Sequence, residues 1–157
     1  MMSPIAAFFL LAALSQEGNL MGPYPGVDEI RGPLHFCGNH IAIDVAADEQ
    51  VGRQRGPDFT IFSLQSASGG FGIYEGNHPE QGGTSEPATV AGLPAVRRRT
   101  PDGGYSYLVQ VPDASFPTFV DLYGAVWTGD DRDLPLLARV KIGQSAVIGC
   151  ERPTFQR

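Results

Sequence analysis

Positive charge is scarce in this sequence: Lys and Arg number 11 against 17 Asp and Glu, a net charge of −6. Non-specific nucleic-acid affinity comes mostly from Lys and Arg neutralising phosphates, so nucleic acid is not an expected partner. Anionic lipid headgroups offer such a surface no attraction either. Long apolar runs are also missing. The most apolar stretch, Ile5-Ala6-Ala7-Phe8-Phe9-Leu10-Leu11-Ala12-Ala13-Leu14, is about half the length a membrane-spanning helix needs. No Gly-x-Ser-x-Gly, His-Glu-x-x-His or Ser-x-x-Lys motif occurs, so no catalytic residue is assigned. Gly69-Gly70-Phe71-Gly72 is glycine-rich, but it lacks the Lys-Ser/Thr and following helix of a phosphate cradle and reads as a turn between strands. Asp130, Asp131 and Asp133 lack the alternating ligands of an EF-hand and read as a helix start. No cofactor is expected.

What is present begins with the amino terminus. The first fifteen residues carry no ionisable side chain, and the apolar run closes on Ala13-Leu14-Ser15, a small-x-small ending. This is the pattern of a signal peptide over residues 1–15, cleaved after Ser15 to leave Gln16 first. Met1-Met2-Ser3-Pro4 has no Lys or Arg, and the competing reading is an N-terminal helix packed on the core. No Cys follows closely, so lipid-anchored export has no attachment point. A periplasmic or secreted protein is expected, with no membrane span in the mature chain.

Two cysteines, Cys37 and Cys150, lie near the two ends of that mature chain. An even count in an exported protein reads as a bridge. Closing a loop of this length restricts the unfolded ensemble by roughly 4–5 kcal/mol in the chain-entropy model. The competing reading makes Cys37 a nucleophile or metal ligand, because His35-Phe36-Cys37-Gly38-Asn39-His40 holds two imidazoles and a thiol. A tetrahedral zinc site usually draws on two ligand clusters, and Cys150 and His78 are each isolated, so no metal is assigned. Oxidation would remove the thiolate that a Cys-His hydrolase needs.

The length of 157 residues and 42% hydrophobic content suit one domain. With 20 Gly and 13 Pro it should be rich in loops. Residues 16–33 carry Gly22-Pro23-Tyr24-Pro25-Gly26 and read as an irregular segment before a single β-rich domain over 34–157. In 40–45, Ile41, Ile43 and Val45 share one face, the period of a half-buried strand. Residues 58–64 and 71–74 predict an antiparallel hairpin, and 80–87 a surface loop. Thr100-Pro101-Asp102-Gly103-Gly104 predicts a turn between strands 93–99 and 105–111. A further strand is expected over 118–127. Leu136, Ala138, Val140 and Ile142 alternate with polar residues, but the acidic start, early Pro and basic end favour a short helix. The fold class expected is α+β: mainly antiparallel sheet with one or two short helices.

Short strands, a wide polar loop, and Thr118-Phe119-Val120-Asp121-Leu122-Tyr123 before an Asp-rich helix start resemble the small α+β accessory proteins of the PsbP and Mog1-like group. The resemblance spans most of the mature chain. It implies an antiparallel sheet flanked by helices, and a binding or accessory role rather than catalysis.

Arg97-Arg98-Arg99 beside Tyr105 and Tyr107 is the most concentrated charge on the chain. Arginine binds carboxylate or phosphate bidentately and stacks on aromatic rings, so Arg97, Arg98, Arg99 and Tyr107 are candidate binding residues for a small anion or acidic partner. A four-residue turn would put Arg98 opposite Tyr107, with Arg97 and Arg99 on the other face. A solvated strand face is the competing explanation. For acid/base chemistry, Glu75 and His78 are three apart in one predicted turn. His35 and His40 are further bases, with Asp44 and Asp58 as orienters. The leading expectation is a small exported non-enzymatic domain that binds a protein or envelope component. The alternative is a small hydrolase or metal-dependent enzyme using His40, His78 and Glu75. The sequence assigns no oligomeric state.

Overall fold

The computed structural model describes residues 28–67, 69–79, 82–101, 103–124 and 137–150. These form two antiparallel β-sheets packed face to face. Strands β1 (Asp28–Arg31), β2 (Leu34–Cys37), β3 (Ile41–Val45) and β4 (Gln50–Arg55) make one long, bent hairpin. Its outer half, β1 with β4, belongs to the large sheet, and its tip, β2 with β3, to the small one. The bend lies at Gly32 and at residues 46–49. The Gly32 N–H donates to Glu49 O at 2.9 Å and the Glu49 N–H to Ala46 O at 3.1 Å. A Cβ on Gly32 would stand 1.9 Å from Ala46 O, so this crossing of the two hairpin arms requires glycine.

The large sheet continues with β5 (Phe59–Ser66), β6 (Gly69–Gly76), β7 (Ser85–Val90), β8 (Leu93–Arg99), β9 (Tyr105–Gln110) and β10 (Phe119–Gly124). Its order is β1-β4-β5-β6-β10-β9-β8-β7: the chain leaves β6 for the far edge at β7 and returns by three hairpin steps to pair β10 with β6. The small sheet is β11 (Val140–Ile142), β3 and β2, followed by a 3-10 turn over Gln144–Val147.

Period-2 alternation decides what enters the core. Ile41, Ile43 and Val45 of the small sheet face Phe62, Leu64, Phe71, Ile73, Val109, Val120 and Leu122 of the large one, all nearly inaccessible. Phe36 meets Phe62 edge to face at 4.9 Å between ring centroids. Each fully buried side chain of this size contributes about 1.5–3 kcal/mol.

Several expectations are corrected. Among the described residues the only helical structure is the 3-10 turn and the single helical residue Leu137, so the described fold is mainly antiparallel β-sheet, as expected, with almost no helix where one or two short helices were expected. Val140–Ile142 is a strand, not the end of a helix, because Val140 and Ile142 both enter the core against Ile43 and Ile41 while Lys141 faces out. The segment 16–33 is not irregular throughout, since Asp28–Arg31 pairs with β4. The loop expected over 80–87 already contains the start of β7, where an edge position tolerates Pro87. The turn before β9 is also one residue longer than a two-residue hairpin loop. Thr100 N–H donates to Gly104 O at 3.0 Å, Gly103 N–H donates to Thr100 O at 3.0 Å, and Gly103 has φ +87. A three-residue loop of this kind shifts the register, so Arg97 rather than Arg98 stands opposite Tyr107. Residues 1–27, including the expected signal peptide, and Asp130, Asp131 and Asp133 lie outside the described residues.

Candidate functional site

The polar feature that organises one end of the sandwich is Glu75. In β6, Phe71, Ile73 and Glu75 share the inner face, so the alternation that buries two apolar side chains buries a carboxylate with them. Glu75 is 2% exposed. It stands between Thr60 and Val120 in register, directly under the tip of the small sheet. Its Oε1 accepts the His40 N–H at 2.7 Å, and its Oε2 accepts the Asn39 N–H at 3.0 Å and the Asn39 side-chain amide at 3.1 Å. Burial pushes the Glu75 carboxyl above its ordinary value, and the donors of Asn39 and His40 oppose that shift. The same tip is held from outside by the Cys37–Cys150 disulfide, whose partners are 113 residues apart in sequence. Gly143 N–H also donates to His40 O at 2.8 Å.

Beside this anchored tip opens a cleft of about 530 Å³. Arg53 and Arg55 form one wall, because Val51, Arg53 and Arg55 alternate onto the inner face of β4. Asn39 and His40 form another, and Phe59, Asn77, Phe116 and Thr118 line the rim. Phe116 is 78% exposed. His40 Nδ1 is buried without a hydrogen-bond partner among the described residues.

No protein-family model, curated protein or solved structure matches this chain. The geometry therefore carries the functional argument.

His78 does not join Glu75 and His40. It is 79% exposed, with Nδ1 at 2.6 Å from Asn77 Oδ1 and 3.2 Å from Asp58 Oδ2, and its backbone N–H donates to Tyr74 Oη at 3.0 Å. It lines a second groove, of about 630 Å³, on the opposite face of the large sheet. The reason is that β6 turns Glu75 inward, whereas the chain has left the strand by residue 78. A second imidazole–carboxylate contact among the described residues is His35 Nδ1 with Asp44 Oδ1 at 2.7 Å, which holds the Asp44 carboxyl below its ordinary value. Among the described residues no serine hydroxyl hydrogen-bonds either histidine.

The three arginines are divided between faces. Arg97 ion-pairs with Glu86 on β7, and its guanidinium lies 4.7 Å from the Tyr105 ring centroid. Glu86 raises its pKa, the hydrogen bond being the main cause. Arg98 turns to the opposite face and ion-pairs with Asp121 on β10, both largely buried. Arg99 follows at the strand end, its backbone N–H donating to Thr84 O at 3.1 Å. Tyr107 is 6% exposed and belongs to the core. Arg53, Arg55 and Phe116 were not singled out in the sequence. A basic residue on the apolar face of a strand was the available signal for the first two.

Proposed function

We propose that this chain is a small exported, non-enzymatic domain that binds a protein or envelope component through the cleft beside the Cys37 turn. The observation that carries the reading is the commitment of Glu75. Both its oxygens accept donors of the Asn39-His40 turn, so the most buried carboxylate at the cleft is committed to holding a loop in place. The lining also favours binding over chemistry. Arg53 and Arg55 present guanidinium groups, His40 has an orphaned ring nitrogen, and Phe116 offers an exposed aromatic ring. Arginine and aromatic residues are the side chains that dominate binding energy at interfaces. A partner segment carrying a carboxylate or other anionic group fits this set. The accessory role implied by the resemblance to PsbP- and Mog1-like proteins points the same way.

Export is supported by the apolar leader and by the disulfide, which persists in oxidising compartments. Intact mass of protein recovered outside the cytoplasm tests it: the expected result is a chain starting at Gln16 that gains about 2 Da on reduction. A chain with free thiols and its leader intact would remove the basis of the proposal. For binding, envelope fractions are mixed with the purified domain, and retention is compared for wild type, Arg55→Glu and Phe116→Ala. Both variants should lose at least tenfold in retention. Equal retention of all three would place the binding surface elsewhere. Hydrolysis of ester or peptide substrates that disappears in both His40→Ala and His78→Ala would favour the enzymatic alternative.

A further inference from the structure

A second constellation lies on the outer face of the small sheet. Strand β2 runs Leu34-His35-Phe36-Cys37, so His35 and Cys37 sit two apart on one side while Phe36 enters the core. The 3-10 turn then returns the chain so that Cys150 reaches the same place. One ring nitrogen of His35 and the two sulfurs lie within 4.8 Å of one another. Asp44 stands opposite His35 in the β2–β3 register and accepts from its Nδ1 at 2.7 Å. A carboxylate acceptor keeps the proton on Nδ1 and leaves the lone pair on Nε2. This carboxylate–imidazole arrangement is the one that orients histidine ligands in zinc sites.

With the bridge closed, both sulfurs are bonded to each other and neither is a thiolate. We propose that reduction of the Cys37–Cys150 bridge opens a zinc site made of both thiolates and the His35 imidazole, with Asp44 as a positioning residue. A dithiol reductant supplies two electrons and two protons to the S–S bond, yielding two cysteine thiols and its own disulfide. Zn²⁺ then displaces both thiol protons to solvent and forms two Zn–S bonds of about 2.3 Å and one Zn–N bond of about 2.0–2.1 Å, with water as the fourth ligand. The metal would replace the covalent link between β2 and the end of the small sheet whenever the bridge is open. This inference does not rest on the binding role proposed for the cleft, although Cys37 also lines that cleft.

The test uses the full chain, reduced with a dithiol that is then removed, and titrated anaerobically with Co²⁺ and Zn²⁺. One metal per chain is expected, with thiolate charge-transfer and tetrahedral ligand-field bands for Co²⁺ that Zn²⁺ abolishes. The oxidised chain should show neither. His35→Ala should weaken binding at least tenfold, and Asp44→Asn by about 10–100-fold. Both side chains are substantially exposed, at 47% and 76%, so both variants should fold as oxidised proteins. If reduction unfolds the chain, Zn²⁺ should restore its β-sheet circular dichroism. Unweakened binding by either variant, comparable binding by the oxidised chain, or a reduced chain that zinc neither binds nor refolds would each overturn the proposal.

Discussion

The Glu75 carboxylate accepts the backbone N–H of His40 at 2.7 Å, across 35 residues of sequence. That contact joins the inner face of the large sheet to the tip of the small one. It also fixes one wall of the cleft. A turn that would otherwise expose two unpaired amide groups is thereby ordered by a buried carboxyl group.

Replacing Glu75 by Gln tests this clamp. Glutamine has one carbonyl oxygen where the carboxylate has two, and its amide would face an N–H. The expected loss is about 1–3 kcal/mol in urea unfolding at neutral pH. The pH dependence adds a sign. Burial raises the folded-state value of Glu75 above its ordinary 4.5, so its proton favours the folded state. Its contribution is fully present below 4.5 and declines as pH rises through the folded value. The wild type should therefore lose stability relative to Glu75→Gln over that interval, and parallel curves would contradict the assignment.

Arg139 pins the bend of the long hairpin. Its guanidinium donates to Glu49 Oε1 at 2.9 Å and Oε2 at 2.6 Å, and to the backbone carbonyl of Asp44. Glu49 Oε2 also accepts the Ala46 N–H at 2.7 Å. The hydrogen bond from Arg139 holds the Glu49 carboxyl below its ordinary 4.5. Its stabilisation is complete above the unfolded value and is lost as pH falls through the folded one. Arg139→Ala should cost about 1.5–3 kcal/mol at neutral pH. The deficit should shrink in acid, as read from denaturation midpoints at a series of pH values.

Gly32→Ala should be among the most damaging single-methyl additions. The Cβ would overlap Ala46 O at 1.9 Å, and the atom it meets is backbone, which moves only by opening the bend. A loss of at least about 2 kcal/mol is expected in thermal or urea unfolding. Gly92→Ala is a useful comparison: it meets nothing within 4 Å and is limited by its φ of +76.

Removing the bridge by the double substitution Cys37→Ser and Cys150→Ser should lower stability by about 2–5 kcal/mol. The effect should equal that of reducing the wild type without metal. A double variant as stable as the oxidised protein would show that the bridge holds nothing the core does not already hold.

Phe116→Ala separates binding from folding. With 78% of its surface exposed, the ring contributes little to the core, and the unfolding free energy should stay within about 0.5 kcal/mol of wild type. Lost retention on its binding partner without lost stability is the outcome expected of an interface side chain.

Strand positions were legible wherever alternation and turn chemistry coincided. The second arm of the β5–β6 hairpin, the whole of 93–99 and the core face of β3 follow from residue patterns alone. Strands β2 and β4 are not legible in the sequence, each for its own reason. Leu34–Cys37 is too short to show a period, and Gln50–Arg55 carries Arg53 and Arg55 where a core face would carry apolar residues. The register of β8 against β9 depended on one extra residue in a glycine turn. Arg97 and Arg98 exchanged neighbours accordingly.

The cleft was less legible than the strands. Glu75 was visible as a carboxylate three residues from His78, and local spacing suggested an acid/base pair. Its actual partners, Asn39 and His40, come from a different sheet. A buried charge seeks whichever donors the packing brings within 3 Å, and sequence distance carries no information about that.

By itself, the sequence determined the net charge of −6, the antiparallel strands and the two cysteines available to bridge. These depend on composition, local periodicity and count, which survive without long-range contacts. Only tertiary structure decided that β1 and β4 belong to one sheet and β2 and β3 to the other. It also turned Glu75 inward and His78 outward, and brought His35 to the disulfide. Those outcomes follow from the bend at Gly32 and the face-to-face packing of two sheets, where contacts between residues far apart in the chain settle what each side chain meets.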